Sequence, residues 1–305
     1  MPNPVIQVRD LRKTYGDLVA VDGISFEVQQ GEIFGLLGPN GAGKTSTLES
    51  LEGLRSPDGG SLRVMGLDPA RQSRKLHNLI GVQLQTSSLP GNICVDEAMK
   101  FFSAYHGVAP RYDLLERLGL AEKRKAQYHQ LSAGLQRRLI LALVVAHDPP
   151  VIFLDEPTAG LDVPSRVELH NLMRELQTAG STIVLATHDM AEAEEMADRV
   201  AILLRGKIVA TGTPLELTAT GAGLTRVSVR TEGDSLSAPG VTFPAVSHRA
   251  FKDEYAIYFS TDIGPTVSAI IAHIEAQEDS LIDLRVERPS LEDRFLEISA
   301  TGASQ

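Results

Sequence analysis

Eight consecutive residues, Gly38-Pro39-Asn40-Gly41-Ala42-Gly43-Lys44-Thr45, have the types and spacing needed to hold a phosphate chain. Glycines let successive backbone N–H groups turn inward around an anion, and a following helix adds its positive N-terminal end. Lys44 can reach the outer phosphates as a point charge, and the Thr45 hydroxyl can ligate Mg²⁺. A second constellation is Asp155-Glu156, two adjacent carboxylates closing the apolar run Val151-Ile152-Phe153-Leu154. Burying such charges is costly without partners. Asp155 suits the Mg²⁺ shell, and Glu156 suits the orientation and deprotonation of an attacking water. A solvated turn would explain the pair equally, were there no phosphate loop. His188 closes another apolar run, Thr182 to Ala186, in Thr187-His188-Asp189.

These groups need a scaffold that gathers strand ends. The loop itself lies between an apolar strand, Ile33 to Leu37, and a helix, Thr45 to Leu54, with Leu48, Leu51 and Leu54 at near-helical spacing. Continuous apolar runs such as Val151 to Leu154 are expected of central parallel strands. Open α/β sheets bind ligands at the carboxyl ends of such strands, where Glu156 and His188 would stand. Alternating runs predict strands at Val5 to Leu11, Gly23 to Gln29 and Ser61 to Val64, and another within Leu76 to Leu84. Helices are expected at Val95 to Tyr105, Tyr112 to Leu118, through Leu139 to Ala146, Ser165 to Ala179 and Met190 to Ala197, with strands at Val200 to Leu204 and Lys207 to Ala210.

Four further residues admit two readings each. Tyr15, beside Gly16-Asp17, could stack on a purine or simply be half buried on a strand. Gln83 and Gln85 both precede the polar stretch Thr86-Ser87-Ser88. Either could bond Mg²⁺ or water and a mobile segment, or simply face solvent. Ser132, in Leu131-Ser132-Ala133-Gly134-Leu135, is a good N-cap, and the helix end behind it could bind an anion or be merely capped. Asp162 follows the turn Pro157-Thr158-Ala159-Gly160 and precedes a helix.

Composition narrows the class. Apolar residues make up 43% and charged residues 22% of 305 residues, ordinary for a globular protein with one large or two smaller domains. The net charge of −10 argues against broad binding to nucleic-acid phosphates, and residues 221–305 carry 13 acids against 7 bases, −6 of that total. The single cysteine, Cys94, excludes an internal disulfide and suits a reducing compartment. No signal peptide is visible in Met1-Pro2-Asn3-Pro4, and the longest apolar run, Leu139 to Ala146, is far short of the roughly 20 residues of a spanning helix. Membrane insertion by the chain itself is not expected.

Taken together, the elements resemble the nucleotide-binding subunit of an ATP-binding-cassette (ABC) transporter over roughly residues 4–217. Gly38 to Thr45 matches the Walker A stretch, Val151 to Asp155 the Walker B stretch with Glu156 next, and Leu131 to Leu135 the signature. Pro157 to Asp162 matches the D-loop, His188 the switch histidine, Gln85 the Q-loop and Tyr15 the A-loop aromatic. The signature departs from the usual Leu-Ser-Gly-Gly-Gln at Ala133 and Leu135, keeping Ser132 and Gly134. The resemblance implies an α/β fold: a P-loop NTPase core with an antiparallel β subdomain, a helical subdomain at about 86–146 and, beyond a linker at 218–224, a small C-terminal α/β domain at 225–305. It implies ATP hydrolysis with Mg²⁺ on Thr45, Gln85 and Asp155. Glu156, His188, Lys44 and Gln85 would act catalytically. Tyr15 and Gly38, Pro39, Asn40, Gly41, Ala42, Gly43, Lys44, Thr45 and Ser46 would hold the nucleotide. Ser132, Gly134 and Asp162 would meet the nucleotide of a second subunit in a head-to-tail pair, favoured as a homodimer.

The tail, Arg288-Pro289-Ser290-Leu291-Glu292-Asp293-Arg294-Phe295-Leu296, resembles the ending of daunorubicin-resistance-type subunits, though a capped helix would also explain it. Those subunits serve ABC-2 exporters of drugs, antibiotics, lipids or polysaccharides. Separate transmembrane permease subunits would then dock near Thr86 to Val95, with the chain cytoplasmic at the inner face of the cell membrane. A soluble ABC ATPase acting on ribosomes or nucleic acid is the second reading; one phosphate loop, one cysteine and net −10 disfavour it. A small-molecule kinase is the third, and it leaves the Ser132 element without a use.

Overall fold

A computed structural model describes residues 4–219, 224–238 and 241–302. Contacts divide the chain into a first unit, Met1–Pro214, and a second, Leu215–Gln305.

The first unit is built on a six-stranded sheet of β3 (Ile33–Leu37), β5 (Ile80–Gln83), β6 (Val151–Asp155), β7 (Thr182–Thr187), β8 (Arg199–Leu204) and β9 (Lys207–Gly212), in the order β5-β6-β7-β3-β8-β9. All neighbours pair parallel except β8 with β9. The unbroken apolar runs have a direct cause: both faces are covered. Ile152, Leu154, Ile183 and Leu185 face one cluster, with helices α3 (Val95–Tyr105), α4 (Tyr112–Arg117) and α5 (Ala133–Val145). Val151, Phe153, Val184 and Ala186 face another, with α1 (Lys44–Leu51) and a three-stranded antiparallel sheet of β1 (Ile6–Tyr15), β2 (Leu18–Val28) and β4 (Gly59–Val64).

The second unit has its own core. Strands β10 (Thr225–Thr231), β11 (Val246–Lys252), β12 (Tyr255–Ser260) and β13 (Leu281–Glu287) form an antiparallel sheet in the order β11-β12-β10-β13. Val227, Val229, Ala256 and Tyr258 pack on Ile270 and Ile274 of α9 (Ile263–Ala276), and α10 (Leu291–Gly302) closes the described chain.

Several expectations are corrected. The strand sought within Leu76 to Leu84 is only Ile80–Gln83, because α2 (Pro69–Leu76) occupies the preceding residues. Its signal was Asp68-Pro69: Asp68 caps the helix, accepting from the Ala70 and Arg71 N–H groups, and Pro69 sits where its missing N–H costs nothing. The strand β11 was missed, since His248, Arg249 and Lys252 obscure its alternation. Part of the expected linker at 218–224 is helical in α8 (Pro214–Ala219), while residues 220–223 lie outside the described residues.

Candidate functional site

Strands β6, β7 and β3 are adjacent, so their carboxyl ends bring Asp155, Thr187 and Gly38 to one edge. Packing dictates the glycines. A Cβ at Gly38 would lie 2.4 Å from the Leu203 carbonyl oxygen, and one at Gly43 (φ 104°) 2.4 Å from that of Ala20. Neither position admits a side chain, so the loop backbone is left free to face a ligand.

Lys44, opening α1, is 5% exposed and donates through Nζ to the Gly38 carbonyl at 2.6 Å. Glu156 Oε1 lies 3.5 Å from the same nitrogen. Thr45 Oγ1 donates to Asp155 Oδ2 at 2.8 Å, closing 110 residues of chain. The other oxygens, Asp155 Oδ1 and Glu156 Oε1, are buried without a hydrogen bond. Glu156 Oε1 has the Lys44 ammonium beside it, but Asp155 Oδ1 is an orphaned acceptor and calls for a donor or a cation from outside the chain. The donor set, a hydroxyl beside a carboxylate, is hard oxygen and fits Mg²⁺. Burial pushes the Asp155 carboxyl above the ordinary range and the Lys44 ammonium below it. A bound cation and phosphates would reverse both penalties.

Glu156 takes a left-handed backbone (φ 51°), rare for a non-glycine residue, and its other oxygen lies 2.7 Å from His188 Nδ1. That turn aims its carboxylate back over the phosphate loop. Tyr15 ends β1, 37% exposed, with its hydroxyl 3.2 Å from Ser46 Oγ and the Arg55 guanidinium 5.2 Å above its ring. Tyr15, Pro39 to Gly41, Gly43 to Ser46, Gln85, Asp155 and Glu156 line one cavity of about 280 Å³. Gln83 is buried with neither amide atom bonded, and it lines a different cavity with Gln136 and Arg137. Gln85 therefore is the glutamine that faces the phosphate loop.

Ser132, Gly134 and Asp162 are not in that cavity. Ser132 is exposed and caps α5, accepting from the Leu135 N–H at 3.3 Å. Asp162 is exposed and caps α6 (Val163–Thr178), accepting from the Ser165 N–H. An ideal Cβ at Gly134 meets nothing nearer than Ser165 Oγ at 3.7 Å, so crowding within the chain does not require this glycine.

Sequence reasoning missed two groups. Arg137, on α5, donates from Nε to the Pro157 carbonyl at 2.9 Å, and from Nη2 to the carbonyls of Asp155 (3.3 Å) and Glu156. It thereby ties α5 to the turn that carries Asp155 and Glu156. Its signal was a guanidinium placed just before the apolar stretch Leu139 to Ala146. Arg137→Ala should destabilise the fold by about 2–4 kcal/mol in chemical denaturation, because three inward carbonyls lose a charged donor.

The second is Glu52, at the end of α1, fully buried with both oxygens unbonded. Burial, then repulsion from Asp155 and Glu49, raises its pKa from 4.5 to about 8. The native state therefore keeps a proton that the unfolded chain releases. Stability from this group is complete below about pH 4.5 and falls as pH rises towards 8. Glu52→Gln should flatten that slope and raise unfolding free energy at pH 8 by roughly 2–4 kcal/mol, read from denaturation midpoints at pH 5, 6.5 and 8.

The family described as "ABC transporter" matches residues 21–159. The Nod factor export ATP-binding protein I of Paraburkholderia xenovorans (strain LB400) is 35% identical, covering 98% of each chain. The chain belongs to the ABC transporter ATP-binding family. The linearmycin resistance ATP-binding protein LnrL of Bacillus subtilis (strain 168) is 30% identical over 97% of this chain and 98% of its own. Among solved structures, an ATP-binding subunit of an ABC transporter superposes with a TM-score of 0.66 at 26% identity, covering 70% of this chain and 91% of that one. This ABC ATPase thus combines the family's nucleotide-binding architecture with a second unit shared by relatives matched along their whole length.

Proposed function

We propose that this ABC ATPase binds and hydrolyses ATP to drive export through separate membrane subunits of the ABC-2 type. The observation that carries the reading is similarity over 98% of both chains to a protein named for export, the second unit included. Among the described residues no helix is long and apolar enough to cross a membrane, and the reading assigns the path for cargo to other chains. An apolar cavity of about 490 Å³, lined by Leu84, Leu89, Phe102, Tyr105, Ile140 and Val144 among others, offers a seat for a helix of such a permease. It adjoins the Thr86 to Val95 stretch. Its position would place the chain at the inner face of the cell membrane.

Two copies would pair head to tail across the nucleotide. Support comes from the cavity volume, which falls just below the usual range of small-molecule sites, and from Ser132 and Asp162 standing exposed outside it. Ser132 and Gly134 of one copy would meet the phosphates on Lys44 of the other. Thr45, Asp155 and Gln85 would hold Mg²⁺, which would supply positive charge against that developing on the transferred phosphoryl group. Glu156 accepts a proton from the attacking water. His188, hydrogen-bonded to Glu156, holds the γ-phosphate side. Capture of the tagged chain from detergent-solubilised membranes should recover an integral protein with about six apolar 20-residue spans. Recovery only with ribosomes would overturn the export reading.

A further inference from the structure

Among the described residues, β13 is an edge of the second unit's sheet, paired with β10 on one side only. Open strand edges are templates for further pairing unless charge or distortion blunts them. The opposite edge, β11, is blunted by His248, Arg249 and Lys252, and Arg249 is bonded to the carbonyls of Leu236, Ala238 and Val241. Strand β13 carries Asp283, Arg285 and Glu287, but it also keeps exposed apolar side chains along its length. Leu281, Ile282 and Val286 are 44%, 51% and 42% exposed. Ile282 and Val286 share a face with Leu284, which packs against the α9 core, so they prolong that core to the rim.

The order Ile282-Asp283-Leu284-Arg285-Val286 is complementary to itself. Place two copies antiparallel with Leu284 on a two-fold axis. Asp283 of each then opposes Arg285 of the other, and Ile282 opposes Val286. Asp283 and Arg285 already lie side by side within the strand (2.8 Å), with the Tyr255 hydroxyl donating to Asp283. Across the axis the charges would therefore alternate, while four exposed apolar side chains became covered.

We infer that β13 is a self-association edge, joining two copies of the second unit into one eight-stranded antiparallel sheet. The occupant is a second copy because the strand complements itself, and an isologous contact closes at two. Pairing of β13 with β11 of another molecule would be head to tail and would not close. The contact needs no nucleotide, so it is separate from the ATP-dependent pairing proposed above.

Cysteine cross-linking of the full chain tests the register, in a Cys94→Ser background without nucleotide. A chain carrying both Ile282→Cys and Val286→Cys should oxidise to a disulfide-linked dimer, because opposed residues have Cβ atoms within about 4.5–5.5 Å. Either substitution by itself should give none, since like positions are offset by roughly 13 Å along the strand. In parallel, Ile282→Lys should convert a nucleotide-free dimer to a monomer by light scattering. The proposal is overturned by absence of the double-cysteine cross-link, by cross-linking of either single variant, or by an unchanged mass for Ile282→Lys. With nucleotide absent, none of these outcomes bears on the shared ATP site.

Discussion

Glu156→Gln lowers ATP turnover by about 10²–10⁴-fold, the range that loss of a general base produces. ATP affinity stays within about threefold of the parent or tightens. The reasons are local. Glutamine keeps the size and the oxygen that faces His188, so the bond at 2.7 Å has an isosteric replacement. The substitution also removes one negative charge beside Asp155 and the incoming phosphates, which lowers repulsion in a buried site. ATP should then accumulate between two copies; in an Ile282→Lys background, which removes the nucleotide-free contact at β13, light scattering should show a nucleotide-dependent dimer that the same background with Glu156 intact forms only transiently. Phosphate release measured under saturating ATP is the direct check. Turnover at the parent rate would remove Glu156 from its assigned role.

Lys44→Ala acts at the earlier step. Its ammonium is held in the loop by the Gly38 carbonyl and faces Glu156, which makes it a preorganised cation at the place proposed for the outer phosphates. Losing it should weaken ATP binding by about 2–4 kcal/mol, or roughly 30- to 1000-fold in Kd. Titration calorimetry should show that loss, and hydrolysis should fall with it. The two variants therefore separate. One binds without turning over, and the other fails to bind. A Lys44→Ala chain that binds ATP normally would place the phosphates elsewhere.

Legibility in the sequence followed the distance over which each signal acts. The phosphate loop is a local signal: an apolar strand, two obligatory glycines and a helix lie within about twenty residues, and each part constrains the next. Val151 to Asp155 and Thr182 to Thr187 were equally readable, since strands buried on both faces show as unbroken apolar runs. The cap at Ser132 was visible as a residue type; Asp162 was read only as preceding a helix, and the structure makes it the cap of that helix. The helix Pro69–Leu76 was not read, although Asp68-Pro69 announced it, because its body is polar and carries little periodic apolar signal. The strand β11 was hidden for a related reason: edge strands carry charges that break the alternation.

The amino-acid order by itself determined the chemistry on offer: a phosphate cradle, a hydroxyl for a cation, two carboxylates and a histidine at strand ends. Only the tertiary structure decided how these divide the work. It set Thr45 on one oxygen of Asp155 and left the other without a partner. It turned Glu156 through a left-handed backbone onto Lys44 and His188, and it put Gln85 rather than Gln83 at the cavity. It also brought Arg137 under the turn at Glu156 and left β13 open. The physical reason is common to all of these. Each depends on contacts between residues far apart in the chain, and on which polar atoms burial leaves unpaired, neither of which local residue patterns encode.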